Sequence, residues 1–326
     1  MPEHGSDDLP ILLVSTKVDV ATDAVVRSLA ARGISFIRAN TEDFPYHVGW
    51  SFRITTNSCP ELRVPSTECR YRSVWWRRVR SPERPANMLQ GVHEYCVREG
   101  QDFVVGAVQS IAARIMSDPA RVWAAEHKLW QLTIARECGL EISDTVATNV
   151  PEEIRRAFSD FGGELICKPV RTGFVDLGTE QRAIYTVRLL AEHLEQLGDA
   201  KWSPAIYQRW VRKSLDIRIT VVGTRIFVAS IDSLSDPAAI VDWRRTTNPD
   251  LPHAVIDLPE SLEHAILALM ARLGLSFGAL DFVLTPDGRF VFLEINPNGQ
   301  WMWLDDKLGF GITDAVVDWL CAHTDP

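Results

Sequence analysis

The stretch SFGALDFVLTPDGRFVFLEINPNGQWMW, residues 276–303, constrains the fold of this chain more than any other part of the sequence. Asp287-Gly288 near its centre is a typical two-residue turn signal, and a run rich in Phe, Val, Leu and Ile lies on each side of it. A two-residue turn pairs Pro286 with Arg289 and fixes the register of both runs. The sequence therefore predicts an antiparallel β-hairpin here.

The two faces of this hairpin are expected to differ in chemistry. Counted back from the turn, Asp281 lies opposite Glu294, and alternation places Asn296 on the same face. The other face is predicted to be apolar core, made of Leu280, Phe282, Leu284, Val291, Leu293 and Ile295. The acidic face also carries the apolar residues Val283, Phe290 and Phe292. Because of these three, an exposed polar face is the less favoured interpretation.

Two facing carboxylates need something to keep them together. Their Cβ atoms would lie only ~4.5–5.5 Å apart, so like charges should repel. The pair is tolerated if one acid is protonated or if a cation lies between them. Mg²⁺ takes one or two carboxylates and completes its shell with water and substrate phosphates. Asp281, Glu294 and Asn296 are therefore predicted to be ligands of Mg²⁺.

Composition narrows the class of protein. The 326 residues include 34 Lys and Arg against 43 Asp and Glu, a net charge of −9 that argues against broad nucleic-acid binding. No apolar run approaches the ~20 residues of a membrane-spanning helix, and the polar first ten residues predict no signal peptide. The six cysteines show no metal-ligand spacing, which favours buried thiols in a reducing cytoplasm. We expect a cytoplasmic globular protein without membrane contact.

The first third of the chain reads as an α/β domain. Strands at Ile11–Val14 and Ile34–Arg38 flank a helix at Thr22–Ala31. Residues Ala86–Met116 are predicted to be helical, as two helices or as one helix kinked near Gly100 or Gly106. The turn after the first strand has no glycine, so a NAD site is rejected. Asp118-Pro119 then breaks the chain, and residues 1–118 are assigned to this domain.

The rest of the chain is divided into residues 119–211 and 212–326. The first part opens with one predicted helix, Ala124–Cys138, and its polar segment Arg171–Arg182 is predicted to be a flexible lid. Strands at Asp216–Val222 and Arg225–Ile231 open the second part, followed by a helix at Ser261–Leu273.

Several cations are placed to bind phosphate. Lys168 ends a predicted strand whose apolar residues bury its stem, and Lys128 lies on a helix, where a solvated surface lysine is the alternative. Arg218 interrupts an apolar strand, as residues that point into a site or a salt bridge do. Arg244 follows Asp242 in a segment without regular structure.

Together these residues favour phosphoryl transfer from a magnesium nucleotide, because positioning and charge neutralisation supply most of that catalysis. The chain has no GxxxxGK[ST] and no HRD or DFG set, so P-loop and protein-kinase sites are excluded.

The order of these residues resembles the ATP-grasp superfamily. The resemblance rests on Lys128, Lys168, Gln208–Val211, Asp216-Ile217-Arg218, Asp281 and Glu294-Ile295-Asn296-Pro297. It implies an α/β (α+β) fold with an N-terminal pre-ATP-grasp domain, a central domain and a C-terminal antiparallel-sheet domain. It implies ATP and Mg²⁺ as cofactors. The residues that would bind the nucleotide are Lys128, Lys168, Asp216 and, gripping adenine, Gln208, Arg209, Trp210 and Val211.

Within the superfamily, the chain resembles the ligases that crosslink graspetides, the microviridin-type ribosomal peptides. The motifs are ILLVSTKVDVATD, Asn40–Phe44, Ser73–Arg78 and Asn296–Trp301. The resemblance implies an enzyme that phosphorylates Asp or Glu of a precursor peptide with leader and core, and then closes esters with Ser or Thr or amides with Lys. It also implies a possible homodimer.

Four residues are assigned to the chemical step on this basis. Arg218 and Arg244 would stabilise the charge that develops on the acyl phosphate. Asp242 and Glu180 are candidates for binding or deprotonating the nucleophile, with a helix-cap or salt-bridge acid as the alternative for each.

Two other functions remain open at this point. One is a ligase that adds amino acids to a protein tail or a small acid, as ribosomal-protein glutamate ligases do. The other is a nucleotide-binding scaffold without chemistry.

Overall fold

A computed structural model describes residues 9–65, 70–111, 113–171, 173–176, 180–246, 248 and 250–322. The helices are α1 Val20–Ala31, α2 Gln90–Ser110, α3 Pro119–Ala125, α4 Lys128–Glu137, α5 Pro151–Asp160, α6 Glu260–Leu273, α7 Met302–Leu308 and α8 Ile312–Cys321. The strands up to the middle of the chain are β1 Ile11–Ser15, β2 Phe36–Asn40, β3 Ser51–Thr55, β4 Ser58–Arg63, β5 Ser73–Trp76, β6 Arg114–Met116, β7 Glu141–Ile142, β8 Thr145–Thr148 and β9 Leu165–Pro169. The later strands are β10 Phe174–Asp176, β11 Gln181–Ala183, β12 Val187–Leu189, β13 Ala205–Arg209, β14 Leu215–Val222, β15 Arg225–Ile231, β16 His253–Val255, β17 Phe277–Leu284 and β18 Phe290–Asn296.

The N-terminal part is a parallel sheet in the order β2-β1-β5-β6. Helix α1 begins where the side chain of Asp19 accepts a hydrogen bond from the Thr22 amide at 2.8 Å. The predicted β-α-β opening is therefore confirmed. The helix predicted over Ala86–Met116 is wrong at its C-terminal end, because Arg114–Met116 pairs with Ser73–Trp75 and extends the sheet.

The central part is an antiparallel sheet in the order β12-β9-β13-β8. Helix α5 packs against it, with Ile154 and Ala157 in the same apolar cluster as Leu165 and Tyr207. Strands β10 and β11 form a separate two-stranded ladder within the segment that was predicted to be a lid. Residues 172 and 177–179 of that segment lie outside the described residues.

The C-terminal part is a six-stranded sheet in the order β16-β15-β14-β17-β18-β7. Its pairs are antiparallel except β18–β7, which is parallel. Helix α6 packs on one face, and it ends at Gly274 with φ of +67°, the left-handed conformation that favours glycine. The predictions for Asp216–Val222 and Arg225–Ile231 are confirmed, as the turn at Gly223 joins them.

Helices α3 and α4 replace the single helix predicted over Ala124–Cys138. Asp118 caps α3 by accepting from the amides of Ala120 and Arg121 at 2.9 and 3.1 Å, and α4 starts afresh at Lys128. Leu132 of α4 packs in the same core as Phe292 of β18. This packing places the start of α4 beside the last sheet.

The hairpin of β17 and β18 pairs Asp281 with Glu294 as predicted, but by a different route. The turn is wider than two residues, since the Thr285 amide donates to the Arg289 carbonyl at 2.9 Å and Gly288 has φ of +84°. A β-bulge after Asp281 then absorbs one residue of β18 and restores the register at the acids.

The bulge reverses the predicted faces between the acids and the turn. Phe290 and Phe292 pack in the core with Phe282 and Leu284, so their assignment to the acidic face is wrong. Leu293 lines a cleft on the other face rather than the core, and so does Val283. Val291 pairs with Val283 and shares its face, because directly opposed residues do.

The α/β (α+β) fold class is confirmed, while the division at residues 118 and 211 stays a prediction. In the part of the chain that the structure describes, no helix is long and apolar enough to cross a lipid bilayer. The expectation of buried thiols is wrong there, since Cys59 is exposed and Cys96, Cys138, Cys167 and Cys321 are half-buried free thiols. Cys69 lies outside the described residues.

Candidate active site

A cleft of about 390 Å³ lies between the central sheet and the six-stranded sheet. Strands β9 and β13 line one wall, and strands β14, β17 and β18 line the other. The predicted site residues that line it are Lys128, Lys168, Gln208, Arg209, Trp210, Val211, Asp216, Asp242, Arg244, Asp281, Glu294 and Asn296. Arg218 does not line the cleft, but it donates a hydrogen bond to Asp281, which does.

Two ion pairs hold the facing acids. Arg218 lies opposite Asp281 on the neighbouring strand and donates to both carboxylate oxygens from Nη1, at 2.8 and 2.9 Å. Glu294 pairs with Lys128, whose Nζ lies 3.0 Å from Oε2. Arg218 therefore does form a salt bridge, with Asp281 rather than with the alternatives Asp216 or Glu294.

The two acids have opposite pKa shifts. Burial raises the pKa of Asp281, opposed by Arg218 and reinforced by Glu294. Burial also acts to raise the pKa of Glu294, but Lys128, Lys168 and Arg244 outweigh it and lower that pKa to about 2. At neutral pH Glu294 is thus a firmly ionised ligand donor.

Gln131 fixes the position of Lys128 against this pair. Its buried side chain donates to the Ile295 carbonyl at 2.8 Å and accepts from the Ile295 amide at 3.1 Å. Helix α4 thereby hydrogen-bonds to β18 between Glu294 and Asn296. Since Lys128 and Gln131 are three residues apart, they share one helix face. Apart from that spacing, nothing in the amino-acid sequence indicates the contact between Gln131 and Ile295.

Lys168 differs from the other cations in the cleft wall. The other lysines and arginines that line the cleft each lie near a carboxylate: Lys128 with Glu294 at 3.0 Å, Lys213 with Asp216 at 2.5 Å, Arg171 with Glu126 at 2.5 Å, Arg209 with Asp144 at 3.5 Å and Arg244 with Asp242 at 2.7 Å. Lys168 is 7% exposed and has no carboxylate within 4 Å among the described residues. It is a buried, uncompensated positive charge.

Burial lowers the pKa of Lys168 to about 8, with Lys128 and Arg244 acting in the same direction and Glu294 opposing. A lysine with this pKa is charged near neutral pH and gains strongly from an added anion. An anionic ligand is the compensation that this wall of the cleft lacks.

The segment Gln208–Val211 joins the central sheet to the next part of the chain. The Arg209 and Trp210 amides donate to the carbonyls of Asp144 and Glu164, both at 2.9 Å. The amide of Val211 has no partner among the described residues. Gln208 is 1% exposed, and its Oε1 is likewise without a partner there.

Asp242 is fully engaged with its neighbours. Its oxygens accept from Nε and Nη2 of Arg244 at 2.8 and 2.7 Å and from the Thr186 amide at 3.1 Å. Burial acts to raise its pKa, but these hydrogen bonds outweigh burial and lower it. These contacts match the cap and salt-bridge alternatives for Asp242, which positions Arg244 and holds the Thr186 amide. Its role towards the nucleophile stays a prediction.

The structure does not bring Glu180 to the cleft. Its carboxylate is exposed and pairs with Arg182, with Nε and Nη2 at 2.8 and 2.6 Å from Oε1. The salt-bridge alternative describes Glu180 in this structure.

Asp216 lines the cleft but is occupied by Lys213 and by the hydroxyl of Ser233. Burial raises the pKa of Asp216. Sequence reasoning missed Lys213, although a lysine three residues before an acid at a strand start was a usable signal. It also missed the pair of Glu126 and Arg171, whose partners lie 45 residues apart.

The residues present fit a magnesium nucleotide. In the described ranges no group of three His, Cys, Asp or Glu could hold a metal alone. Two carboxylates and an amide leave most of an octahedral shell to phosphate and water, which is the usual way proteins bind Mg²⁺. The Asn296 side chain is held in place in the cleft lining, because its Oδ1 accepts from the Asn298 amide at 2.9 Å.

Comparisons with known proteins identify relatives of this chain by sequence and by fold. Residues 10–122 match the family model of the MvdD pre-ATP-grasp domain. The macrocyclase MdnB from Microcystis aeruginosa MRC is 30% identical with a TM-score of 0.77, over 96% of this chain and 99% of that one. MdnC from the same organism, solved with the precursor peptide MdnA, is 29% identical with a TM-score of 0.84, over 95% and 98%. A RiPP-associated ATP-grasp ligase from Chryseobacterium gregarium, in complex with ADP and a leader and core peptide, is 25% identical with a TM-score of 0.86, over 96% of each chain.

Among curated sequences, N-acetylaspartylglutamate synthase A from Homo sapiens is 21% identical over 225 residues, which is 66% of this chain and 54% of that protein. The chain thus spans about half the length of the curated relatives it matches.

The fold and the cleft define an ATP-grasp protein, as the sequence resemblance implied. The chain belongs to the family of peptide-modifying ATP-grasp ligases that contains the macrocyclases MdnB and MdnC.

Proposed function

We propose that the protein is an ATP- and Mg²⁺-dependent carboxylate ligase that closes side-chain ester or amide macrocycles in a ribosomally made precursor peptide. The observation that carries the proposal is the uncompensated Lys168, buried in the same cleft as the facing acids Asp281 and Glu294. One wall requires an anion and the other offers ligands for a divalent cation.

ATP would lie along this cleft. Lys168 and Lys128 would bind its phosphates as point charges. The Val211 amide and Oε1 of Gln208, both without a partner in the described ranges, would supply a donor and an acceptor for the adenine edge, with Arg209 and Trp210 completing that segment. Asp216 would contribute through Lys213, which it holds in the wall.

Asp281, Glu294 and Asn296 would hold Mg²⁺, which would supply charge neutralisation for phosphoryl transfer. This requires Lys128 to leave Glu294 for the phosphates. While Lys128 moves, Arg218 would keep Asp281 on the cleft side.

In the proposed reaction a peptide carboxylate attacks the terminal phosphorus of ATP, and ADP leaves. A Ser or Thr hydroxyl, or a Lys amine, then attacks the acyl carbon, loses its proton and displaces phosphate. Arg244, which lines the cleft, would stabilise the charge on the reacting oxygens, and Arg218, predicted for the same role, would act through Asp281. Asp242 orients Arg244, and we assign no catalytic role to Glu180.

The precursor peptide, with leader and core, is proposed as the partner because the similar structures from Microcystis and Chryseobacterium contain such peptides. A homodimer and a cytoplasmic location are proposed with it. The net charge of −9 speaks against nucleic acid as a partner.

The test is incubation with ATP, Mg²⁺ and a peptide that contains both acidic and Thr or Lys residues. We expect the peptide to lose one water for each crosslink, with one ADP released per bond, as measured by mass spectrometry and an ADP assay. Omitting Mg²⁺ should abolish both signals. ADP binding without ADP release on any such peptide would support the scaffold instead.

The curated relatives favour one second candidate, a ligase that joins an amino acid to an acid, since those proteins are named as synthases of glutamate conjugates. The same incubation distinguishes it when free amino acids are included. A gain of whole residues in mass, rather than a loss of water, would favour this candidate.

A further inference from the structure

We propose that Arg77, which directly follows β5 of the N-terminal parallel sheet, is a positioning residue for the loop of residues 296–301 and thereby sets the Mg²⁺ affinity of a site that it does not touch. The inference rests on the proposed function, because the loop begins at the candidate ligand Asn296. Its consequence is that the N-terminal part of the chain takes part in metal binding.

Arg77 is buried in an unusual way. It directly follows β5 and is 1% exposed, yet its Nε and Nη1 have no hydrogen-bond partner among the described residues. Its Nη2 donates to the carbonyl of Gly299 at 3.0 Å and to Oε1 of Gln300 at 3.2 Å. Removing a guanidinium from water costs several kcal/mol. The direct hydrogen bonds that offset this cost in the described structure all go to the loop.

Aromatic rings fix the direction of this guanidinium. It lies 4.7 Å from the ring centre of Trp301, 5.7 Å from that of Trp75 and 5.8 Å from that of Phe277. These are cation–π distances, and desolvation strengthens such pairs. The rings come from both parts of the chain, so Arg77 is held between them.

Two further side chains from the N-terminal part contact the same loop. Nε2 of Gln300 donates to Oδ2 of Asp19 at 3.4 Å, and Nε of Arg78 donates to the Asn298 carbonyl at 3.3 Å. Asp19 Oδ1 in turn lies 3.8 Å from Nε of Arg77. The loop is therefore tied at three consecutive residues, 298 to 300.

Contacts to Arg218 and Ala279 connect this loop to the candidate metal site. The Gln300 carbonyl accepts from Nη2 of Arg218 at 3.4 Å, and this is the guanidinium that holds Asp281. Gly299 packs so tightly that an added Cβ would collide with Ala279 and lie 3.1 Å from Nη2 of Arg218. Ala279 is the strand partner of Asn296. A shift of the loop would therefore move the surroundings of two of the three candidate ligands.

The test is Arg77→Lys, which keeps the charge but loses the planar fork of donors. ADP binding is measured by calorimetry over a Mg²⁺ titration and again in EDTA. The quantity compared is the Mg²⁺ concentration at which half of the Mg²⁺-dependent gain in ADP affinity is reached. We expect this concentration to be about 10- to 100-fold higher in Arg77→Lys, as for other residues that orient metal ligands. The ADP affinity measured in EDTA should not change, because Arg77 contacts neither of the proposed phosphate-binding lysines, Lys128 and Lys168.

Arg72→Lys is the matched control. The Arg72 guanidinium donates to the carbonyl of Cys321 at the end of α8, so it joins the same two parts of the chain through this helix. We expect its Mg²⁺ requirement to equal that of the unchanged protein. An equal rise in Arg72→Lys would mean general loosening and would overturn the proposal.

The remaining outcomes separate this inference from the proposed function. If ADP binding by the unchanged protein does not depend on Mg²⁺, the proposed metal site is refuted. If it does depend on Mg²⁺ and folded Arg77→Lys has the same requirement, only the role of Arg77 is refuted. If Arg77→Lys does not fold, Gln300→Met removes the loop's side-chain contacts to Arg77 and Asp19. An unchanged Mg²⁺ requirement in that variant would overturn the inference.

Discussion

Replacing Glu294 with Gln is expected to reduce peptide-dependent ADP release at saturating ATP by at least on the order of 10²-fold. The amide keeps the shape of the side chain but loses the negative charge that would bind Mg²⁺. It also loses the ion pair that holds Lys128 at 3.0 Å. Both walls of the cleft are therefore affected by one substitution.

Glu137→Gln is the control for this variant. Glu137 pairs with Arg272 at 2.7 Å on the surface, outside the cleft lining, so its loss should leave ADP release unchanged. ADP release by Glu294→Gln within a few-fold of the unchanged protein would rule out Glu294 as a metal ligand.

Acid unfolding gives a second readout for Glu294. Its pKa is lowered in the folded protein to about 2 from the usual 4.5. A lowered carboxylate pKa adds stability at higher pH that is lost as the pH falls through this window. We expect the stability of Glu294→Gln to fall less between pH 4.5 and 2 than that of the unchanged protein.

Replacing Lys168 with Met is expected to weaken ADP binding about 10- to 100-fold, the range for losing a hydrogen bond to a charged group. Met preserves most of the buried stem and removes only the charge. Lys201→Met, which changes an exposed lysine outside the cleft lining, is the matched control and should bind ADP normally. Equal ADP affinity in Lys168→Met and Lys201→Met would mean that the Lys168 charge does not bind nucleotide. The proposed function would then lose its main support.

The pH dependence of ADP binding follows from the same residue. The pKa of Lys168 is lowered to about 8, so its positive charge is present below that pH and lost above it. We expect ADP affinity to fall as the pH rises through 8, with proton uptake on binding above pH 8 in calorimetry. This dependence should flatten in Lys168→Met.

Stability should change in the opposite direction to binding. Because the folded protein favours neutral Lys168 and the unfolded chain titrates near 10.5, the charged lysine destabilises the fold at neutral pH. Lys168→Met should therefore have a higher melting temperature than the unchanged protein at pH 7 without nucleotide. A gain in stability with a loss of binding would identify a residue kept for function.

Local patterns predicted the strands and helices that carry the site. The alternation around Asp281 and Glu294, the strand that ends at Lys168 and the glycine that ends α6 all depend on neighbours in sequence. These signals needed no knowledge of distant contacts, so they were readable from the chain alone.

The errors come from contacts that are distant in sequence. Arg114–Met116 is a strand only because β5 offers it a partner. The face assignment of Phe290, Phe292 and Leu293 failed because a bulge adds one residue to an otherwise regular alternation. The helical prediction over Ala86–Met116 and the hairpin prediction are therefore wrong only where tertiary structure changed the local geometry.

In the candidate site, too, local features were predictable from the sequence and contacts between distant residues were not. Charged residues at strand ends could be selected from the sequence, but their pairing could not. Asp242 looks like a free acid in the chain and is saturated by Arg244 and Thr186 in the structure. Gln131, by contrast, has no chemical signature and is recognisable only from its contact with Ile295.

The ion pair between Lys128 and Glu294 has a consequence for the order of ligand binding. The cation that would serve the nucleotide and the anion that would serve the metal neutralise each other before either ligand arrives. Whichever ligand binds first must separate them, and the second then finds its partner already released. With the proposed ligands, nucleotide and metal would therefore be thermodynamically linked, each raising the affinity of the other to the same degree.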